Sequence, residues 1–113
     1  MHEMSLCESL LTAMEEAAQT NGFAKVRRVR LEIGRFAGVE VQALRFGFDV
    51  VMRGSLAEGA ELVVIDRPGT AWCFDCDETV EIAERHAPCP RCGGARMQAN
   101  GGTEMTIKDL EVE

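Results

Sequence analysis

The chain has 113 residues with a net charge of −7, and 46% of its residues are hydrophobic. That is enough apolar material for one compact unit with a small appended module and too much for a disordered chain. The acidic balance excludes the clustered basic footprint of a nucleic-acid binder. No apolar run approaches the roughly 18–20 residues of a membrane span. Glu3 and Glu8 stand where a signal peptide would carry positive charge, so the expected location is the cytoplasm.

Ser5 and Glu8 have the Ser-x-x-Glu spacing of a capping box, and Leu6, Leu10, Met14 and Ala17/Ala18 recur every three to four residues. The spacing predicts a helix over 5–21, stopped by Asn21-Gly22. Val29, Leu31 and Ile33 alternate with Arg28, Arg30 and Glu32, predicting a strand from Val26 to Ile33 with one buried face. Arg27, Arg28 and Arg30 read as a solvated strand face. Val41, Leu44, Phe48 and Val51 predict a second amphipathic helix at 40–52, and Glu61 to Ile65 a second strand.

Beyond this point the composition changes. All three prolines and four of the five cysteines fall in residues 67–102, a segment poor in aliphatic side chains. The cysteines form two Cys-x-x-Cys pairs, Cys73/Cys76 and Cys89/Cys92, separated by twelve residues. Two such hairpins place four thiolates around one tetrahedral ion, the arrangement of a closed structural Zn(II) site, and a reducing compartment favours metal over disulfides. Iron in a rubredoxin-like site and a redox role are the other chemistries open to four thiolates. Metal binding would supply about 10–16 kcal/mol of apparent folding energy to a segment that lacks a core of its own. Gly93 and Asp77 each follow the second ligand of a pair, where a knuckle needs positive φ. Thr79–Ile82 reads as a short strand between the knuckles. His86 is read as a surface residue, and Cys7, outside the cluster, as a small buried hydrophobe.

Met105–Val112 reads as a final strand. Its apolar phase slips between Ile107 and Leu110, which calls for a β-bulge near Lys108-Asp109. The expected architecture is α+β: two helices on a three-stranded sheet, with a zinc-ribbon module inserted before the last strand. The expected domains are 1–66 with 103–113, and 67–102. Four thiolates leave no open position for a substrate water, and no nucleophile-base set or phosphate loop is present, so no enzyme activity is expected.

The first three residues, Met1-His2-Glu3, group an α-amine, a backbone amide and an imidazole, donors suited to square-planar Ni(II) or Cu(II). His2 is bulky enough that Met1 is expected to be retained. An exposed terminus of this kind can release metal by ligand exchange.

The chain resembles the HypA/HybF family of hydrogenase maturation factors. The motifs that carry the likeness run in order along nearly the whole chain. They are Met1-His-Glu-Met-Ser-Leu6, Val29-Arg-Leu-Glu-Ile-Gly34, Glu40-Val-Gln-Ala-Leu-Arg-Phe46, Gly54-Ser-Leu-Ala-Glu-Gly-Ala60, Ala87-Pro-Cys-Pro-Arg-Cys-Gly93 and the ending Ile107-Lys-x-Leu-Glu-Val-Glu113. The resemblance implies a nickel metallochaperone for [NiFe]-hydrogenase, with transient Ni(II) at His2 and Glu3, and with Met1 and Glu40 as further contributors. It implies Zn(II) at Cys73, Cys76, Cys89 and Cys92. It also implies a HypB-type nickel-handling GTPase and the hydrogenase large subunit as partners. Members serving urease carry histidines beside the cysteine pairs, whereas here only His86 comes near. Without labile nickel, the same sequence would read as a zinc-ribbon adaptor for a protein partner.

Overall fold

The computed structural model describes residues 2–113. Two helices and six strands follow in the order α1 (His2–Asn21), β1 (Val26–Gly34), α2 (Val41–Met52), β2 (Glu61–Arg67), β3 (Gly69–Cys73), β4 (Glu78–Ile82), β5 (Met97–Gly101) and β6 (Met105–Val112). The strands form two three-stranded sheets, ordered β2-β1-β6 and β4-β3-β5. The α+β architecture with a cysteine-bearing ribbon before the last strand is therefore as expected.

The chain packs as two compact units. One contains the residues up to Leu31, Val39–Val64 and Ile107–Glu113; the other contains Glu32–Gly38 and Ile65–Thr106. In the first unit, Cys7, Leu10 and Met14 of α1 and Leu44, Phe48 and Met52 of α2 are buried, as are Val26, Val29 and Leu31 of β1. Gly47 marks the close approach of the helices: a β-carbon there would lie 2.8 Å from Met4 Sδ and 3.4 Å from Cys7 Sγ. The Cys7 thiol donates to the Leu44 carbonyl oxygen at 3.4 Å, and burial pushes it up to about 11. It is a core side chain, as the sequence suggested.

Helix α1 departs from expectation at its start. Ser5 does not cap it, because the helix begins at His2 and Ser5 lies inside the first turns. Packing of Met4 and Cys7 at Gly47 rewards helix over a segment that a local capping rule would leave out. Its end is as read: Gly22 has φ +75°, and its N–H closes on the Ala18 carbonyl at 2.8 Å.

The outer face of β1 is a ladder of ion pairs. Arg27 meets Glu113, Arg28 meets Glu61 and Glu111, and Arg30 clasps both carboxylate oxygens of Asp109 through Nε and Nη2. These cations are satisfied within the sheet and form the solvated face expected of them. Along β6 the half-buried positions are Met105, Ile107 and Leu110, so the phase does slip across Lys108-Asp109.

The ribbon holds more strand than its sequence announced. Besides β4, Gly69–Cys73 and Met97–Gly101 are extended, with β3 central and antiparallel to both neighbours. Met97-Gln-Ala-Asn-Gly101 has no β-branched residue and only a short, weak alternation of Met97 and Ala99 with Gln98 and Asn100, and its pairing with β3 makes it a strand. The small core here is Ala71, Cys73, Val80, Ile82 and Cys89, with Phe36, Cys76, Ala87 and Met97 packed against it.

Candidate metal centres

The two Cys-x-x-Cys turns have the same construction. Asp77 N–H donates to the Cys73 carbonyl at 2.8 Å, and Gly93 N–H donates to the Cys89 carbonyl at the same distance. Asp77 (φ 55°) and Gly93 (φ 73°) adopt the left-handed conformation predicted for each knuckle. Backbone N–H groups of Cys76, Arg91 and Gly94 point at the sulfurs of Cys73, Cys89 and Cys92, each at 3.4 Å. Two ion pairs flank the turns, Arg91 with Glu78 and Arg96 with Asp75.

These turns bring the four sulfurs together. Cys73 and Cys92 Sγ lie 3.7 Å apart, Cys76 and Cys89 Sγ 3.9 Å apart, and all four fall within 4.8 Å of one another. Tetrahedral bonds of about 2.3 Å to zinc imply sulfurs about 3.8 Å apart. A disulfide would require about 2.05 Å, and all five cysteines are free thiols.

The electrostatics point the same way. Backbone donation from Cys92 and Arg91 draws the Cys89 thiol down to about 7. Hydrogen bonding to Cys92 and desolvation push the Cys76 thiol up to about 12. Cys89 thus ionises readily, whereas Cys76 resists ionisation unless a dication compensates. Among the described residues this is the one cluster of three or more ligating side chains able to reach a single ion. The donor set fits a closed structural zinc. His86 is not part of it.

At the other candidate centre, His2 is the first residue of α1 and is exposed. The first N–H groups of a helix lack intrahelical acceptors, so the amides around His2 and Glu3 are not spent on the helix ladder. A Glu3 carboxylate oxygen accepts from the Glu40 N–H at 3.1 Å, which ties the start of α1 to the start of α2. Glu40 is the N-cap of α2, and its two carboxylate oxygens accept from Gln42 N–H at 3.1 Å and Ala43 N–H at 2.6 Å. The Glu40 amide holds the Glu3 carboxyl below the usual carboxylate range. Its contribution is therefore present above the ordinary carboxylate range and lost only as pH falls through that lowered value.

The structure therefore brings Glu3 beside Glu40, with His2 next to Glu3 in the chain. Met1 lies outside the described residues. The capping work of Glu40 escaped the sequence reading, because glutamate is not among the favoured N-cap residues.

A chain with this fold and a four-thiolate ribbon belongs to the class of small metal-binding proteins. It is a member of the HypA family, described as "Hydrogenase/urease nickel incorporation, metallochaperone, hypA", which it matches over residues 1–112. The hydrogenase maturation factor HypA of Xanthobacter autotrophicus is 71% identical over 112 residues, covering 99% of each chain. That of Rhodobacter capsulatus is 67% identical over the same span, again covering 99% of each. The solution structure of the nickel metallochaperone HypA from Helicobacter pylori superposes with a TM-score of 0.72 at 26% identity, over 97% of this chain and 96% of that one. A second solution structure of a HypA protein gives 0.73 at 28% identity, over 100% and 97%. The family role is nickel metallochaperone in hydrogenase maturation, and the adaptor reading without labile nickel is not favoured.

Proposed function

We propose that this chain binds Ni(II) at the start of α1 through His2 and Glu3, with the Met1 amine and Glu40 as further donors. It delivers the ion to the large subunit of a [NiFe]-hydrogenase in the cytoplasm. A HypB-type GTPase takes part in the transfer, and the chain itself acts by binding and release rather than by catalysis. Zn(II) at Cys73, Cys76, Cys89 and Cys92 is structural.

The observation that supports the reading is the hydrogen bond from the Glu40 N–H to the Glu3 carboxylate, which ties the His2-Glu3 end of α1 to the start of α2. The positive end of a helix opposes a bare cation but favours the deprotonated amide and carboxylates that would surround one. Both Glu40 oxygens serve the cap, so Glu40 joins a nickel ion only by sharing lone pairs with α2. Relatives such as those from Xanthobacter and Rhodobacter carry the name hydrogenase maturation factor, which favours hydrogenase over urease as the destination.

Nickel titration by calorimetry on zinc-loaded protein tests this. Wild type is expected to take up one Ni(II), and His2→Ala to lose that binding with one zinc per chain retained. Glu3→Gln keeps an acceptor for the Glu40 amide but removes the charge, and is expected to weaken nickel roughly tenfold or more. Nickel binding that survives His2→Ala unchanged would place the site elsewhere.

A further inference from the structure

The ribbon unit contains a cavity of about 230 Å³ that neither the zinc centre nor the nickel reading uses. Its floor is apolar, made by Ala71, Ile82, Ala87 and Met97. Its polar groups are the Arg85 guanidinium, the His86 imidazole and the Gln98 amide, and no carboxylate lines it. In a chain of 19 acidic residues against 12 Lys and Arg, an all-cationic and neutral lining is a selective environment.

The cation is held in place. Arg85 sits over the Phe36 ring, 5.1 Å from its centroid, and its Nη2 donates to the Phe36 carbonyl at 3.0 Å. Phe36 is itself wedged, since a β-carbon on Gly69 would fall 2.0 Å from its ring. Of the five guanidinium N–H groups, one, on Nη2, has a protein partner among the described residues. The backbone at His86, which also lines the cavity, is strained, with φ 65° in a residue that carries a β-carbon. A positioned fork of donors over an apolar floor is the chemistry that recognises a carboxylate attached to an aliphatic group. The volume equals that of about seven to eight waters at ~30 Å³ each, room for one side chain and its carboxylate and not for a larger cofactor.

We propose that this cavity binds the C-terminal residue of a partner polypeptide, its aliphatic side chain on the apolar floor and its terminal carboxylate on Arg85. Backbone recognition of chain termini is an established mode of peptide binding, and here the side chains of Arg85 and Gln98 would take that part.

The test is a titration of zinc-loaded, isotope-labelled protein with N-acetyl-Gly-Gly-Leu as the free acid and as the C-terminal amide, followed by amide chemical shifts. The free acid is expected to shift the Ala87, Met97 and Gln98 resonances in a saturable way. The amide is expected to bind about tenfold more weakly, the scale of one lost charge-assisted hydrogen bond. Arg85→Gln should weaken the acid to the level of the amide. If that variant loses its dispersed spectrum, the comparison of acid with amide on wild type decides alone. Equal binding of acid and amide, or no shifts at these residues with the acid, overturns the proposal.

Discussion

Stripping zinc from the purified protein is expected to melt the ribbon sheet while leaving the helical signal of α1 and α2 in place. The reason lies in what each unit buries. Apart from two ligands, the core beneath β3, β4 and β5 consists of Ala71, Val80 and Ile82, too little apolar surface to offset the ordering of this many residues. Cys73 and Cys89 are both ligand and core, so losing the ion leaves two buried, unbonded thiols where a bonded tetrahedron had been. The first unit's core draws on Met14, Leu31, Leu44 and Phe48 and contains no residue of the tetrahedron.

Trp72, the sole tryptophan, reports the event directly. It sits on β3 next to Cys73, half-buried, opposite Thr79 on one side and Gln98 on the other. Chelation should shift its emission to the red, and zinc should restore it. Cys73→Ala should show the same spectrum with no zinc bound. An emission spectrum that stays put after metal analysis shows zinc gone would mean the ribbon holds itself, against the argument from its core.

What could be read from the sequence divides along the same physical line. The tetrahedron was legible because its determinants are local: each pair of ligands is three residues apart, and Asp77 and Gly93 complete each turn within the same few positions. The α2 face and the β1 alternation were legible because their periods are strong. The start of α1 was not, because the capping pattern at Ser5-Glu8 is a local signal overruled by Met4 and Cys7 packing at Gly47, some forty residues on. Strand β5 was not, because Met97–Gly101 becomes a strand only by lying beside β3. The Arg85–Phe36 clasp joins residues 49 apart and had no signal at all. At the candidate nickel site, His2 and Glu3 stood out by donor chemistry, and Glu40 entered through family resemblance alone. Its tie to Glu3 is a backbone hydrogen bond that no side-chain pattern encodes.

Gly34→Ala is expected to be among the most damaging single methyl additions in this chain. Gly34 donates its N–H to the Glu104 carbonyl at 2.8 Å, and two residues on Phe36 N–H donates to the Gly102 carbonyl at 2.7 Å. The backbone at Gly102 is thereby drawn against Gly34, where a β-carbon would lie 2.2 Å from the Gly102 carbonyl oxygen and 2.4 Å from its carbon. No rotamer relieves such an overlap, because both groups are main chain. Gly102 cannot retreat freely, since it has φ +104° and a β-carbon on it would be 2.7 Å from Gly69 Cα, itself pressed on Phe36. Overpacking of this kind costs about 3 kcal/mol or more. Gly22→Ala is the matched control. Gly22 also needs glycine, at φ +75°, but faces open space, so alanine there should cost only about 1–2 kcal/mol. Urea denaturation of the two variants at equal zinc loading separates steric overlap from conformational preference. A Gly34→Ala midpoint at or above that of Gly22→Ala would show that the glycine contact yields, and would remove backbone crowding as the reason for glycine at this position.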